Sequence, residues 1–187
     1  MTNNSTRDKI IELARNYIQT IGYHSFNYKM ISNDLNIKNS SIHHYFPSKD
    51  DLAVAVIEKD KMDFSAMAKS LESQSPAEKA QALLNNYDDY FNNGKKLCLI
   101  STFGSSYNDI SEKIQNASSA YAVLVKKWLS EIFKDGLLSK EFHFKQSPED
   151  MAIIWMATLP GSLLVGRIHG AVHFDKVIGF LKSTLLE

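Results

Sequence analysis

Between Asn27 and Lys49 the chain gathers side chains that can read a nucleic-acid duplex. Asn39, Ser40 and Ser41 bring an amide and two hydroxyls, and His43, His44 and Tyr45 follow with imidazoles and a phenol. Asparagine pairs bidentately with adenine, and serine accepts or donates to several base edges. Lys29 and Lys49, with Tyr28, Tyr45 and His44, offer partners for phosphate oxygens, and Asn27 stands at the start of the same stretch. Other chemistry is poorly served. Adjacent helical residues point about 100° apart, so His43 and His44 cannot share a metal ion, and no metal site is expected. There is no HExxH, no carboxylate pair beside a histidine on one face, and no glycine-rich phosphate loop. The chain is therefore not expected to be an enzyme or to carry a cofactor.

Short helices must hold these side chains. A first runs from about Tyr28 to Leu35, capped by Asn27, with Met30, Ile31 and Leu35 at helical spacing. Asn36 follows, the best non-glycine choice where a chain leaves a helix with positive φ. Ile37 plugs the turn. A second helix, about Asn39 to Tyr45, turns Ile42 inward and leaves its polar residues outside. Two short helices around such a turn form a helix-turn-helix, whose second helix enters the major groove.

The run Ser41-Ile42-His43-His44-Tyr45-Phe46-Pro47-Ser48-Lys49-Asp50-Asp51-Leu52, with Ile21-Gly22-Tyr23 closing a preceding helix, resembles the DNA-binding domain of the TetR family of bacterial transcriptional regulators. In particular it is similar to the branch with Phe-Ser-Tyr entering the second helix and Ser-Ile-His around the third; here these are Phe26-Asn27-Tyr28 and Ser41-Ile42-His43. His43 stands where the family usually has tyrosine. The resemblance implies base contacts from Asn39, Ser40 and Ser41. It also implies a division into a helix-turn-helix domain at 1–50 and an effector-binding and dimerisation domain at 51–187, with the fourth helix as connector. A homodimeric repressor on a near-palindromic double-stranded operator, released by a small-molecule effector, is the implied function.

Composition sets the bounds. The 187 residues are 44% hydrophobic and 22% charged, as in an ordinary globular protein. The N-terminus lacks the apolar core of a secretory signal, and no apolar run of about 18 residues is expected to span a membrane. The single cysteine, Cys98, fits a reducing cytoplasm and reads as a buried structural thiol. Net charge is zero, and residues 1–52 hold six basic against five acidic side chains. Affinity for DNA must then come from placement and from two copies acting together. Near-neutrality also fits a helical protein-interaction module without DNA binding; an all-α enzyme is the other rival class.

The rest of the chain reads as helices, about nine in all, with no alternating strand pattern. Helix 1 spans about Thr6 to Ile21, with Ser5 and Asp8 as a capping box and Ile10, Ala14, Tyr17, Ile18 and Ile21 on one face. Helix 4 opens on Ser48 with Asp51, carries Leu52, Val56, Met62 and Met67, and reaches about Leu71. Ser75-Pro76-Ala77-Glu78 starts a helix to about Asn93. Residues 96–107 suggest a helix broken near Gly104. Another is expected from Asp109 to Asp135, stopped by Gly136. Pro148 to about His169 is expected to kink at Pro160, and a last helix to run from about Asp175 to Leu186. By the resemblance, an effector pocket draws on Cys98, Phe103, Tyr107, Tyr121, Trp128, Trp155 and Met156, which suit an apolar or aromatic molecule. Helix 148–169 carries Ile153, Ile154, Trp155, Leu159, Leu163, Leu164 and Val165, apolar almost all round, which demands burial on more than one side. Gly161, Ser162 and Gly166 are expected to admit a partner backbone. Arg167 and His169 suit either a polar anchor of that pocket or the C-terminal dipole of the helix they end.

Overall fold

In the computed structural model, which describes residues 5–185, the first helix begins where local chemistry says it must. Ser5 accepts from the Asp8 amide and Asp8 reaches back to Ser5, closing the capping box that opens α1 (Thr6–Ile21). The described residues form nine α-helices and no strand. After α1 come α2 (Tyr28–Leu35), α3 (Asn39–Tyr45), α4 (Lys49–Ser70), α5 (Pro76–Asn92), α6 (Leu99–Ser105), α7 (Glu112–Leu138), α8 (Pro148–His169) and α9 (Ala171–Ser183). The all-α architecture and the helix-turn-helix at its start agree with the sequence reading. Leu186, the expected end of the last helix, lies outside the described residues.

Two compact units emerge. One runs to Asp63 and resumes at Cys98–Tyr121; the other takes Phe64–Leu97 and the chain from Ala122 onward. In the first, α1 packs on α2 and α6, and α2 on α3. Ile10, Ala14, Ile18, Ile31, Ile42, Leu52, Ala53, Val56, Ile57 and Phe103 form its core. Some expected core positions differ. Ile21 and Met62 are exposed, and Ile11 and Gln19 are buried in their place. The buried face of α1 thus keeps the expected Ile10, Ala14 and Ile18 and adds Ile11 and Gln19. Between those helices Arg15 pairs with buried Asp60. Burial pushes the Asp60 carboxyl above its usual range, against the pull of Arg15 and a hydrogen bond from Tyr121.

The first turn of α4 gathers several hydrogen bonds. The Asp51 amide donates to Ser48 Oγ at 3.1 Å, and the Ser48 amide donates to Asp51 Oδ2 at 3.0 Å. From the start of α7, Lys113 donates to Asp51 at 2.6 Å and to Ser48 Oγ at 3.2 Å. The Tyr23 phenol donates to Asp50. The Ser111 hydroxyl, then Tyr23, holds the Asp50 carboxyl below the ordinary range; Lys113, then Ser48, does so for Asp51.

In the second unit, α8 packs against α9 and α5. The predicted inward face of α5 is buried throughout: Ala80, Leu83, Leu84, Tyr87 and Phe91. Three boundaries depart from expectation. Tyr107–Asp109 is a separate 3-10 turn and Ile110 is buried and extended, so α7 begins at Glu112 rather than Asp109. α9 begins at Ala171, because Gly170 at φ 89° turns the chain directly from one helix into the next. Gly136 does not end α7, which continues to Leu138. An added Cβ there would fall 2.0 Å from the Phe142 ring, so this glycine exists to let the loop after α7 fold back onto it. Pro160 sits inside α8. By length and composition α8 could cross a membrane, contrary to the expectation of no such run. One side of it, with Met151, Ala152, Trp155, Leu159 and Leu163, is buried in its own unit.

Two outcomes follow. Gly136→Ala should gain up to about 1 kcal/mol of helix propensity and lose about 1–3 kcal/mol to overpacking against Phe142; a lower urea midpoint is expected, and a higher one would contradict the close approach. Asp51 has a depressed folded pKa, so its contribution is complete above the unfolded value of 3.8 and lost as pH falls through the folded one. Asp51→Asn should therefore lower the urea midpoint at pH 7, with the gap closing below pH 3.8. A gap that stays constant with pH would rule out the charge as its cause.

Candidate nucleic-acid interface

The turn between α2 and α3 is set by backbone chemistry. Asn27 caps α2, its side chain accepting from the Met30 amide at 3.2 Å. At the other end Asn36 adopts φ 52°, ψ 46°. Its amide donates to Asn33 O and that of Ile37 to Ser32 O, the paired bonds of a Schellman motif. The chain then reverses and Lys38 leads into α3. Ile42 is the one buried residue of that seven-residue helix. A helix held through a single side chain leaves the rest of its circumference open.

Asn39, Ser40, His43, His44 and Tyr45 are exposed, and Ser41 is half-buried at the edge of the same surface. The His43 ring sits edge-on to Tyr28, with Nδ1 3.4 Å from Pro47 O. His44 and Tyr45 lean on each other, centroids 5.5 Å apart. Lys29, on α2, is exposed. Asn27, at the N-cap of α2, is exposed as well.

Two expected phosphate contacts are placed otherwise. Tyr28 is buried, and its hydroxyl donates to Phe46 O at 2.9 Å, locking the start of α2 to the end of α3. Burial, then the carboxylates Asp51 and Asp50, pushes its phenol up to about 12. Lys49 folds back over Tyr23 and Phe26, its Nζ 4.6 Å from each ring centroid, and donates to His24 O at 3.1 Å. Burial lowers its pKa. An amine committed to two ring faces and a carbonyl is a structural tie rather than a free phosphate ligand. Conversely, the sequence reading passed over Lys38. It is exposed at the head of α3 with no side-chain capping bond. Its position one residue before the reading helix was the available signal.

The residues expected to line an effector pocket are divided between the two units. Cys98, Phe103, Tyr107 and Tyr121 belong to the first unit, and Trp128, Trp155 and Met156 to the second. Phe103 is core and packs near Tyr23. Cys98 is buried at the N-cap of α6. Tyr107 is exposed, its hydroxyl 3.4 Å from Ser119 Oγ. Met156 is half-buried. Trp155 is fully buried edge-on to Phe133, and its indole N–H has no hydrogen-bonding acceptor among the described residues. Trp128 borders a groove of about 430 Å³ with Ala68, Lys69, Glu72, Lys79, Glu131, Ile132 and Asp135.

The second unit also presents an uncovered apolar stripe. Ile153, Ile154, Leu164, Val165 and Ile168 on α8, with Val172 and Phe180 on α9, are exposed, Ile168 at 76%. Ser162 and Gly166 face inward instead of toward a partner. An added Cβ at Gly166 would lie 2.5 Å from Phe91, so that glycine admits α5 of its own chain. Gly161 is half-buried, and an added Cβ there would meet nothing within 4 Å.

Comparison with known proteins gives the arrangement a family. Residues 10–56 match the family model described as bacterial regulatory proteins, tetR family. A TetR transcriptional regulator from Legionella pneumophila superposes with a TM-score of 0.90 at 28% identity, over 99% of this chain and 100% of that one. A TetR-family regulator from Agrobacterium tumefaciens gives 0.89 at 26% identity, over 97% of each chain. The fold is shared with reduced NemR of E. coli, at a TM-score of 0.80, 19% identity and 97% of each chain. Curated protein sequences yield no match. Its N-terminal helix-turn-helix thus matches that of the tetR family, and over its whole length the chain is similar in fold to TetR-family transcriptional regulators.

Proposed function

We propose that this regulator is a cytoplasmic homodimer that binds a near-palindromic double-stranded operator as a repressor and is released by a small-molecule effector. The observation carrying the DNA reading is α3, which is seated by Ile42 alone and turns Asn39, Ser40, His43, His44 and Tyr45 to solvent. Asn39, Ser40 and Ser41 read base edges. Lys29 and Lys38 neutralise phosphate, aided by His44 and Tyr45, while Tyr28 and Lys49 keep the two helices in register. In functional terms 1–50 is the reading domain and 51–187 the effector and dimerisation domain.

The exposed stripe on α8 and α9 supports the dimer. A contiguous apolar surface of this kind marks an interaction site, and isologous pairing through it sets two reading helices on two half-sites. Two half-sites also answer the near-neutral charge, since every weak contact is made twice. For the effector, Trp128 at its groove offers a flat apolar wall, and the buried indole N–H of Trp155 offers a donor for an acceptor-bearing molecule. The effector acts by binding the released conformation more tightly than the DNA-bound one.

Asn39→Ala should cost about 1–3 kcal/mol of discrimination at one base step per half-site. Lys38→Ala should weaken binding to all sequences and reduce the salt slope by about 1. Binding measured on the chain's own upstream DNA at several salt concentrations checks both. Absent or salt-independent binding would favour a protein-interaction module instead. Ile168→Asp should leave the helical content intact and give monomers in sedimentation; an unchanged dimer would place the interface elsewhere.

A further inference from the structure

The corner where α8 turns into α9 holds two histidines that neither DNA reading nor effector binding uses. His169 ends α8 and His173 lies in the first turn of α9, both exposed, on either side of the Gly170 turn. Their ring centroids are 5.0 Å apart with a 40° interplanar angle. His173 Nδ1 lies 3.2 Å from His169 O. A carbonyl only accepts, so Nδ1 carries the proton and Nε2 presents its lone pair. This is the arrangement of a metal-binding histidine, whose second nitrogen donates to a carbonyl and fixes the tautomer.

The spacing fits as well. With metal–nitrogen bonds of about 2.0–2.1 Å and tetrahedral angles, two imidazoles on one ion have centroids about 5 Å apart. The geometry points to a two-histidine site at His169 and His173 for a divalent cation of the kind imidazole prefers, zinc, nickel or copper. Among the described residues no group of three or more His, Cys, Asp or Glu surrounds an ion. Water completes the coordination, and the ion exchanges readily. Bound there, it ties the last turn of α8 to the first turn of α9 across a glycine, beside Ile168 and Val172.

The test uses the full chain stripped of metal with a chelator and titrated calorimetrically with zinc sulfate and nickel chloride. Binding of one ion per chain is expected, with a rise in Tm that follows the metal concentration. His169→Ala and His173→Ala should each weaken it at least about tenfold, a scale at which even outer-shell partners act. The double variant should lose both the binding and the Tm rise while its circular dichroism stays unchanged. No binding by the parent at millimolar metal, or equal binding by the double variant, would overturn the site; the remaining histidines then account for any uptake. DNA binding plays no part in this readout, so its failure leaves the regulator reading untouched.

Discussion

The reading head depends on how many bonds converge on the first turn of α4. Ser48 and Asp51 must satisfy the helix's own opening amides, which makes their positions rigid before anything else touches them. The same two side chains accept from Lys113, and neighbouring Asp50 accepts from Tyr23. A carboxylate fixed by a cap cannot follow a moving partner, so these contacts locate elements rather than merely attract them. Tyr23 ties in the segment leading to α2, and Lys113 ties in the start of α7. Lys49 adds a third tie by lying across Tyr23 and Phe26. Charge works here because it is local and hydrogen-bonded; isolated surface pairs contribute little.

Further along α4 the balance reverses. Asp60 faces Arg15 in a nearly dry setting, and burial raises its pKa despite the guanidinium. Its charge therefore costs stability as pH rises above 3.8, the opposite sign to Asp50 and Asp51. Replacing such a pair with apolar residues is often neutral or stabilising, so its worth lies elsewhere. A buried pair between α1 and α4 penalises any slip that parts the charges, which suits a helix whose angle must be definite. The first turn and the buried pair thus hold α4 at two separated points.

How much of this was legible in the sequence follows from the range of each interaction. Caps occupy four residues, and Ser5 with Asp8, Asn27, Ser48 with Asp51, Ser75 with Glu78 and Ser147 all stand where their spacing placed them. Asn36 was readable for the same reason, since positive φ at a helix end narrows the choice of residue. What failed was decided by distant partners. Gly136 looked like a stop because nothing local reveals that Phe142 returns to lie on it. Gly166 looked like an opening for a second chain, although Phe91 already occupies it. Tyr28 and Lys49 have the chemistry of phosphate ligands, and only the fold discloses that a carbonyl and two aromatic rings reach them first.

That competition bears on what a near-neutral reading domain can do. Of its six basic residues, Arg7 lies over Phe46, Arg15 is paired with Asp60, and Lys49 is folded inward. Lys29 and Lys38 sit on or beside the two helices of the motif, and both are exposed. Lys9, on α1, is exposed as well. Counting charge along the chain therefore overstates what a phosphate backbone would meet. With so few cations per subunit, bulk attraction cannot supply much affinity, and the amide, hydroxyl and imidazole tips of α3 must carry a larger share. A surface of that kind gains most from being presented twice at fixed spacing. The stripe from Ile153 to Phe180 is the feature that makes such presentation physically reasonable, because its apolar side chains are left exposed by the described residues of their own unit.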